Sequence, residues 1–202
     1  MSGARSRGVG VACAMAAVVG LGAVAIGLGR GEDVAGGWQL AARYTARLAF
    51  PVFLAAFVAS PWQRLRPGPL PRWLVRHRRA LGLAFATIFA AHAVSLVTFN
   101  VVKGTVPSPA TLFVGGGALV ATALMAATSN DASVRRLGGA RWRRLHRFGM
   151  WWLWFVFTFT YAGRLGRAPD VFAIFALACV AALGLRVAGR RRNGPSDLAE
   201  AA

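Results

Sequence analysis

Residues 129–161 read SNDASVRRLGGARWRRLHRFGMWWLWFVFTFTY. The first half has the character of a loop loaded with arginine. At His146 it gives way to an aromatic run able to enter a membrane. An ionisable, metal-competent side chain at the mouth of an apolar helix is a functional candidate, because a bilayer makes such a group expensive unless it is paired or used. Taken alone, the window fits an interfacial histidine in a basic loop equally well. A second histidine, His92, lies inside an otherwise apolar segment upstream and moves the balance toward a site.

Working outward, the 202 residues carry 24 Lys+Arg against 6 Asp+Glu, a formal charge of +18. In a soluble domain that balance would point to nucleic acid. Here 56% of residues are hydrophobic and the mean hydropathy is +0.52. Several runs are long enough to cross a hydrocarbon layer of roughly 30 Å. The charge therefore reads first as membrane topology. The basic residues sit in short connections beside apolar runs, so anionic lipid headgroups are their natural partner and no nucleic acid is expected. Cys13 and Cys179 both fall inside apolar runs and form neither a metal-ligand spacing nor a disulfide framework.

Six apolar runs follow one another. Val9 to Gly29 comes after Arg5 and Arg7; a signal peptide shares that layout, but the run is long for one and no clear cleavage site follows, which predicts a retained first helix. The second, Trp38 to Trp62, carries Arg43 and Arg47, whose side chains can snorkel to the outer headgroups, and Pro51, which is expected to kink it. The third, Ala80 to Val102, contains no charge besides any on His92. The fourth, Ala110 to Thr128, holds Gly115, Gly116 and Gly117, which permit close helix contact; no strand precedes them, so they are not a dinucleotide fingerprint. The fifth runs from Leu145 to Gly163 and the sixth from Val171 to Leu185. The proline-rich stretch WQRLRPGPLPRWLVRHRR, residues 62–79, reads as a basic loop.

Arginine distribution sets the orientation. Arg64, Arg66, Arg72, Arg76, Arg78 and Arg79 fall in one connection, and Arg135, Arg136, Arg141, Arg143, Arg144 and Arg147 in the next but one. Arg186, Arg190, Arg191 and Arg192 follow the last run. By the positive-inside rule this predicts an all-α, polytopic bundle of six transmembrane helices with both termini cytoplasmic. Residues 1–190 form the transmembrane domain and 191–202 a short disordered cytoplasmic tail in this expectation. Carboxylates are absent from the helix interiors, which argues against a transporter or channel with an acidic proton or cation relay.

The chain has three histidines. His92 lies 13 residues past Arg79, roughly 20 Å along a helix, which places it in the outer half of the bilayer. His146 sits at the inner end of the fifth run and His77 at or just before the inner end of the third. On one continuous helix His77 and His92 would be about 60° apart and could face the same neighbour. Imidazole binds haem iron well, and a flat apolar macrocycle suits the Phe, Trp and Leu side chains around His146. Any one such histidine is more often structural or interfacial than a ligand.

The motifs around these residues narrow the choice. RRALGLAFATIFAAHAVSLV, through Arg78, Arg79, Leu81, Gly82, Leu83 and His92, resembles the third helix of ferric-reductase-like transmembrane proteins. Within that family it is most similar to the haem-binding membrane subunits of bacterial methionine-sulfoxide reductase systems, the MsrQ/YedZ group. TSNDASVRRLGGARWRRLHR resembles the same group's second signature, through Thr128, Ser129, Arg135, Arg136, Leu137, Gly138, Trp142, Leu145 and His146. The resemblance covers residues 48–165, and its motifs are more specific together than singly. One departure stands out: the group has another histidine 13 residues beyond the one matching His146, and that position here is Phe159, which cannot bind iron. Tyr161 lies at a similar depth, and tyrosine can ligate haem iron.

The resemblance implies haem b, one or two per chain, with an inner site at His146 (His77 its candidate second ligand) and an outer site at His92. That outer site is five-coordinate, differently ligated or empty. Arg78, Arg79 and Arg144 are candidates to pair with haem propionates, against ordinary membrane anchoring as the alternative. It extends to FMN on the cytoplasmic face. The implied function is an electron-transfer subunit of the bacterial inner membrane rather than a self-contained enzyme. The segments outside the helices are too short for a flavin or nicotinamide domain, so a cytoplasmic flavin reductase would be the donor and a periplasmic molybdenum-containing methionine-sulfoxide reductase the acceptor. The competing expectation is a non-redox six-helix scaffold that has lost part or all of its haem ligation.

Overall fold

In a computed structural model, residues 2–166 and 168–191 are described, with side chains from residue 7 on except Pro169. Eight helices occupy them: α1 (Ser2–Arg30), α2 (Val34–Leu65), α3 (Pro69–Arg76), α4 (Arg78–Lys103), α5 (Pro109–Ala127), α6 (Asp131–Leu137), α7 (Gly139–Ala162) and α8 (Pro169–Arg191). No strand occurs among the described residues. The expected disordered tail lies, from residue 192, outside the described residues.

The helices are amphipathic in the reverse sense to those of a soluble protein. Large aliphatic residues recur outward at helical spacing: Met15, Val18 and Leu21 on α1, Val94, Val97 and Val101 on α4, Ile174, Leu177 and Val180 on α8. Small residues turn inward, among them Ala16, Ala23, Ala41, Ala49, Ala118, Ala121 and Ala182. Lipid is as apolar as leucine, so burying leucine gains little there; close backbone approach between small residues is what holds helices together. Two of the buried hydroxyls obey the same solvent. Thr45 Oγ donates to the Ala41 carbonyl at 2.7 Å and Ser95 Oγ to the Ala91 carbonyl at 2.8 Å, so neither is left unsatisfied in hydrocarbon.

Five helices are long and apolar enough to cross a membrane: α1 from Arg7, α2, α4, α5, and α8 from Asp170. The chain is therefore a multi-pass membrane protein. α7 falls short because Arg141, Arg143, Arg144 and Arg147 occupy its first turns. It is nonetheless continuous and begins six residues before the Leu145 start that hydropathy suggested, since Arg, Trp and Leu are tolerable helix formers.

Two segments expected as loops contain short helices. Pro69 stands at the start of α3, where its missing N–H is no loss, and Pro71 and Leu74 turn inward. Between Ser129 and Arg144, the Asn130 side chain accepts the Ser133 N–H at 2.7 Å to start α6. Gly138, at φ 74°, turns the chain into α7. Prolines and arginines suggested loops here; caps decided otherwise.

The chain divides into two compact units. The first holds residues up to Phe53 together with Arg79–Val156. In it α1 and α2 meet so closely that a Cβ on Gly27 would run into the Ala41 backbone. Phe53 on α2 faces Phe85 on α4 at 5.6 Å between ring centres. α5 and α7 run antiparallel: Gly117 lies under the Trp152 indole, and Gly149 against Met125. Of the glycine triplet only Gly117 makes the expected close contact; Cβ atoms at Gly115 and Gly116 would meet nothing within 4 Å.

The second unit holds Leu54–Arg78 and the chain from Phe157 on. There the Arg186 guanidinium lies 3.9 Å over the Phe57 ring, and Tyr161 stacks on Phe175 at 4.7 Å. Neither Cys13 nor Cys179 forms a disulfide.

Candidate functional site

Two of the three histidines lie in the first unit, and their surroundings differ. His92 is in the middle of α4, 14 residues from Arg78 and 11 from Lys103. Its Nδ1 is 2.9 Å from the Ala42 carbonyl of α2. A carbonyl only accepts, so Nδ1 carries the proton and the neutral ring has its lone pair on Nε2. The same arrangement orients metal-ligating histidines in general, with one nitrogen pinned to a backbone carbonyl and the other presented for coordination. The half-buried ring is flanked by Phe89, 5.5 Å away on the same helix.

His146, on the second turn of α7, is held through the other nitrogen. Its Nε2 is 3.1 Å from Thr128 Oγ, and that hydroxyl lies 2.6 Å from the Leu124 carbonyl. With the hydroxyl proton directed at Leu124, Thr128 accepts from a protonated Nε2. Trp142 covers the ring at 4.0 Å between centres and donates its indole N–H to the Thr128 carbonyl at 2.8 Å. Iron at His146 Nε2 requires Thr128 to give way; iron at His92 Nε2 leaves the Ala42 bond in place.

Depths differ as well. Thr128 closes the end of α5 next to Asp131, and Asp131 pairs with Arg79 at 3.1 Å. His146 is therefore anchored near the Arg79 end of α4, whereas His92 is roughly 20 Å further along that helix at 1.5 Å per residue.

His77 lies in the second unit. It is not on α4 but caps the C-terminus of α3, with φ −99° and ψ 10°. The helical projection relating it to His92 therefore fails, because the helix breaks between them. Its Nδ1–H donates to the Trp73 carbonyl at 2.9 Å, and the two rings lie 4.5 Å apart. Of the arginines, Arg78 donates to Ser60 Oγ at 3.4 Å and Arg79 is paired with Asp131, while Arg144 is exposed on α7. Phe159 is 62% exposed, and Tyr161 is buried beside Phe157, Phe172 and Phe175.

The acceptors Ala42 and Thr128 and the cover Trp142 had no assigned role in the sequence. Thr128 and Trp142 stood inside the second signature, which was the available signal; nothing marked Ala42, 50 residues from its partner. Among the described residues no three His, Cys, Asp or Glu side chains come together. The donor set is thus one of isolated imidazoles on separate helices, which fits a macrocycle supplying the equatorial ligands itself.

Fold and site together define a class: an all-helical multi-pass membrane protein with one imidazole poised in mid-helix and a second at the arginine-rich end. The chain is similar to proteins named protein-methionine-sulfoxide reductase heme-binding subunit MsrQ. That of Ralstonia nicotianae is 33% identical over 117 residues, 54% of this chain and 52% of the relative. That of Azospira oryzae is 33% identical over 135 residues, 61% of this chain and 56% of the relative. That of Herminiimonas arsenicoxydans is 40% identical over 83 residues, 37% of each. The chain thus spans about half the length of the first two relatives it matches. No family model and no solved structure matches it.

Proposed function

We propose that the chain is a haem b-binding membrane subunit that carries electrons from a cytoplasmic reductase to an extracytoplasmic acceptor of the methionine-sulfoxide reductase kind. The observation that supports this is the His92 Nδ1–H bond to the Ala42 carbonyl at the centre of an apolar helix, which puts the neutral ring's lone pair on Nε2, the form a metal-binding histidine takes. The names of the relatives supply the same cofactor independently. Bound haem supplies one-electron exchange at its iron. The polypeptide's part is to present Nε2, to hold the ring orientation from α2, and to keep water away with Phe89 and its neighbours.

His146 serves an inner site once its Nε2 leaves Thr128, so one or two haems bind, and His77 in the second unit stands as a further candidate ligand. Arg144 has no hydrogen bond or ion pair among the described residues and is the readiest partner for a propionate. Arg78 and Arg79 would first exchange Ser60 and Asp131. The aromatic half of α7, Phe148 to Ala162, makes a sixth crossing, and the arginine asymmetry supports cytoplasmic termini in a bacterial inner membrane. A periplasmic molybdenum-containing subunit as acceptor, a flavin reductase as donor, and FMN at the cytoplasmic face rest on the resemblance.

The rival reading, a scaffold that has lost its redox work, is favoured by Phe159, which stands where the group has a histidine and faces outward. A dithionite-reduced spectrum of the purified protein separates the two. Haem b bands support electron transfer, and a well-folded preparation that stays colourless after haem is supplied refutes it.

A further inference from the structure

The α1–α2 pair is tied tightly at one end and parts further along. Cβ atoms on Gly31 and Gly27 would run into Gly37 N and Ala41 N, so the backbones touch at both levels. A Cβ on Gly22 would meet nothing within 4 Å. Where the helices part lies an open groove of about 460 Å³, walled by Gly22, Ile26 and Arg30 of α1 and Tyr44, Arg47 and Leu48 of α2, among others.

Arg30 and Arg47 line the groove with their apolar stems, and cations at headgroup depth favour an anion beside them. Among the described residues neither Arg30 nor Arg47 has a hydrogen bond or an ion pair. The acids nearest in sequence do not meet the need: Asp33 accepts the Gly36 N–H at the start of α2, and Glu32 is exposed. The Gly27–Ala41 and Gly31–Gly37 contacts put Arg47 level with about Leu21, roughly 14 Å along α1 from Arg30. Side chains on a helix lean toward its N-terminus, which for α2 is the Arg30 end. An Arg47 side chain that follows this lean lays its stem along hydrocarbon and brings its guanidinium toward Arg30.

We propose that this groove binds one anionic phospholipid, its phosphate between Arg30 and Arg47 and an acyl chain along Gly22 and Ile26. Charge complementarity selects this occupant. A second copy packed face to face would set these arginines against their own kind. A neutral amphiphile would leave both cations uncompensated, and Tyr44 adds the amphipathic ring common at headgroup depth. The site does not depend on haem, since α1 and α2 are both membrane-length helices.

The test is native mass spectrometry of the full chain in detergent with dioleoylphosphatidylglycerol, dioleoylphosphatidylcholine or inorganic phosphate added. Each arginine near a membrane surface favours anionic lipid by on the order of a factor of five, so the glycerol lipid should bind at least about tenfold tighter than the choline lipid. Phosphate alone should not bind. Arg47→Gln should erase the preference and Arg47→Lys keep most of it. Gly22→Leu, whose side chain enters open space, should weaken both lipids without disturbing the fold by circular dichroism, and it carries the test if Arg47→Gln does not fold. Equal binding of the two lipids, or phosphatidylglycerol binding unchanged in both Arg47→Gln and Gly22→Leu, overturns the proposal. So does saturation by phosphate alone, a co-purified neutral quinone in the groove, or a dimer that Gly22→Leu dissociates.

Discussion

His92 and His146 are imidazoles of long helices in one compact unit, yet their hydrogen bonds prepare them for different roles. His92 gives its Nδ1 proton to a backbone carbonyl, an acceptor no side-chain substitution removes and one that cannot reverse its role. His146 offers its Nε2 to a threonine hydroxyl, which donates or accepts as its surroundings require. The first ring keeps its lone pair on Nε2, while the second meets at Nε2 a hydroxyl that is able to give way. Ligand readiness in a membrane helix is thus set by the partner of the second nitrogen more than by the histidine itself.

The largest effect should come from moving the acceptor. Ala42 is buried, so Ala42→Leu would wedge α2 away from α4 at an overpacking cost of about 1–3 kcal/mol. Pyridine haemochromogen assay should then report haem lost from the His92 site, with the His146 site retained. Thr128→Val should act with opposite signs on the two states. The haem-free protein loses a hydrogen bond worth about 1 kcal/mol and melts a few degrees lower. Affinity for haem at His146 rises about fivefold, because Nε2 no longer has to leave a partner. Titrating haem into the two proteins measures both, and unchanged affinity would place His146 outside the ligand set. His77→Ala should do least, removing a half-buried ring from the end of α3 for under about 1 kcal/mol. If it alters the reduced spectrum, His77 is a haem ligand beside His92 and His146, and an unchanged spectrum removes it from the candidates.

Much of this architecture was legible in the residues. The apolar runs marked α1, α2, α4, α5 and α8 because long stretches with few or no charges leave a chain few alternatives to a spanning helix. α3 and α6 were missed where proline and arginine were weighed above the caps: Pro69 at a helix start and Asn130 three residues before Ser133 are both helix signals. α7 was placed but begun late, since hydropathy reports burial in lipid and its first two turns are basic. The histidines were legible as chemistry. Their partners were not, because a backbone carbonyl 50 residues away has no side chain to betray it. Asp131 as the anchor of Arg79 was hidden for the same reason, the pair being 52 residues apart.

The haem-to-protein ratio of purified His92→Ala against wild type, with His92→Leu as a bulk-preserving, non-ligating control, tests the central claim most directly. Presentation of Nε2 by the Ala42 carbonyl predicts that the alanine variant loses one haem equivalent while staying folded. A ratio and a reduced spectrum identical to wild type in both variants would contradict it.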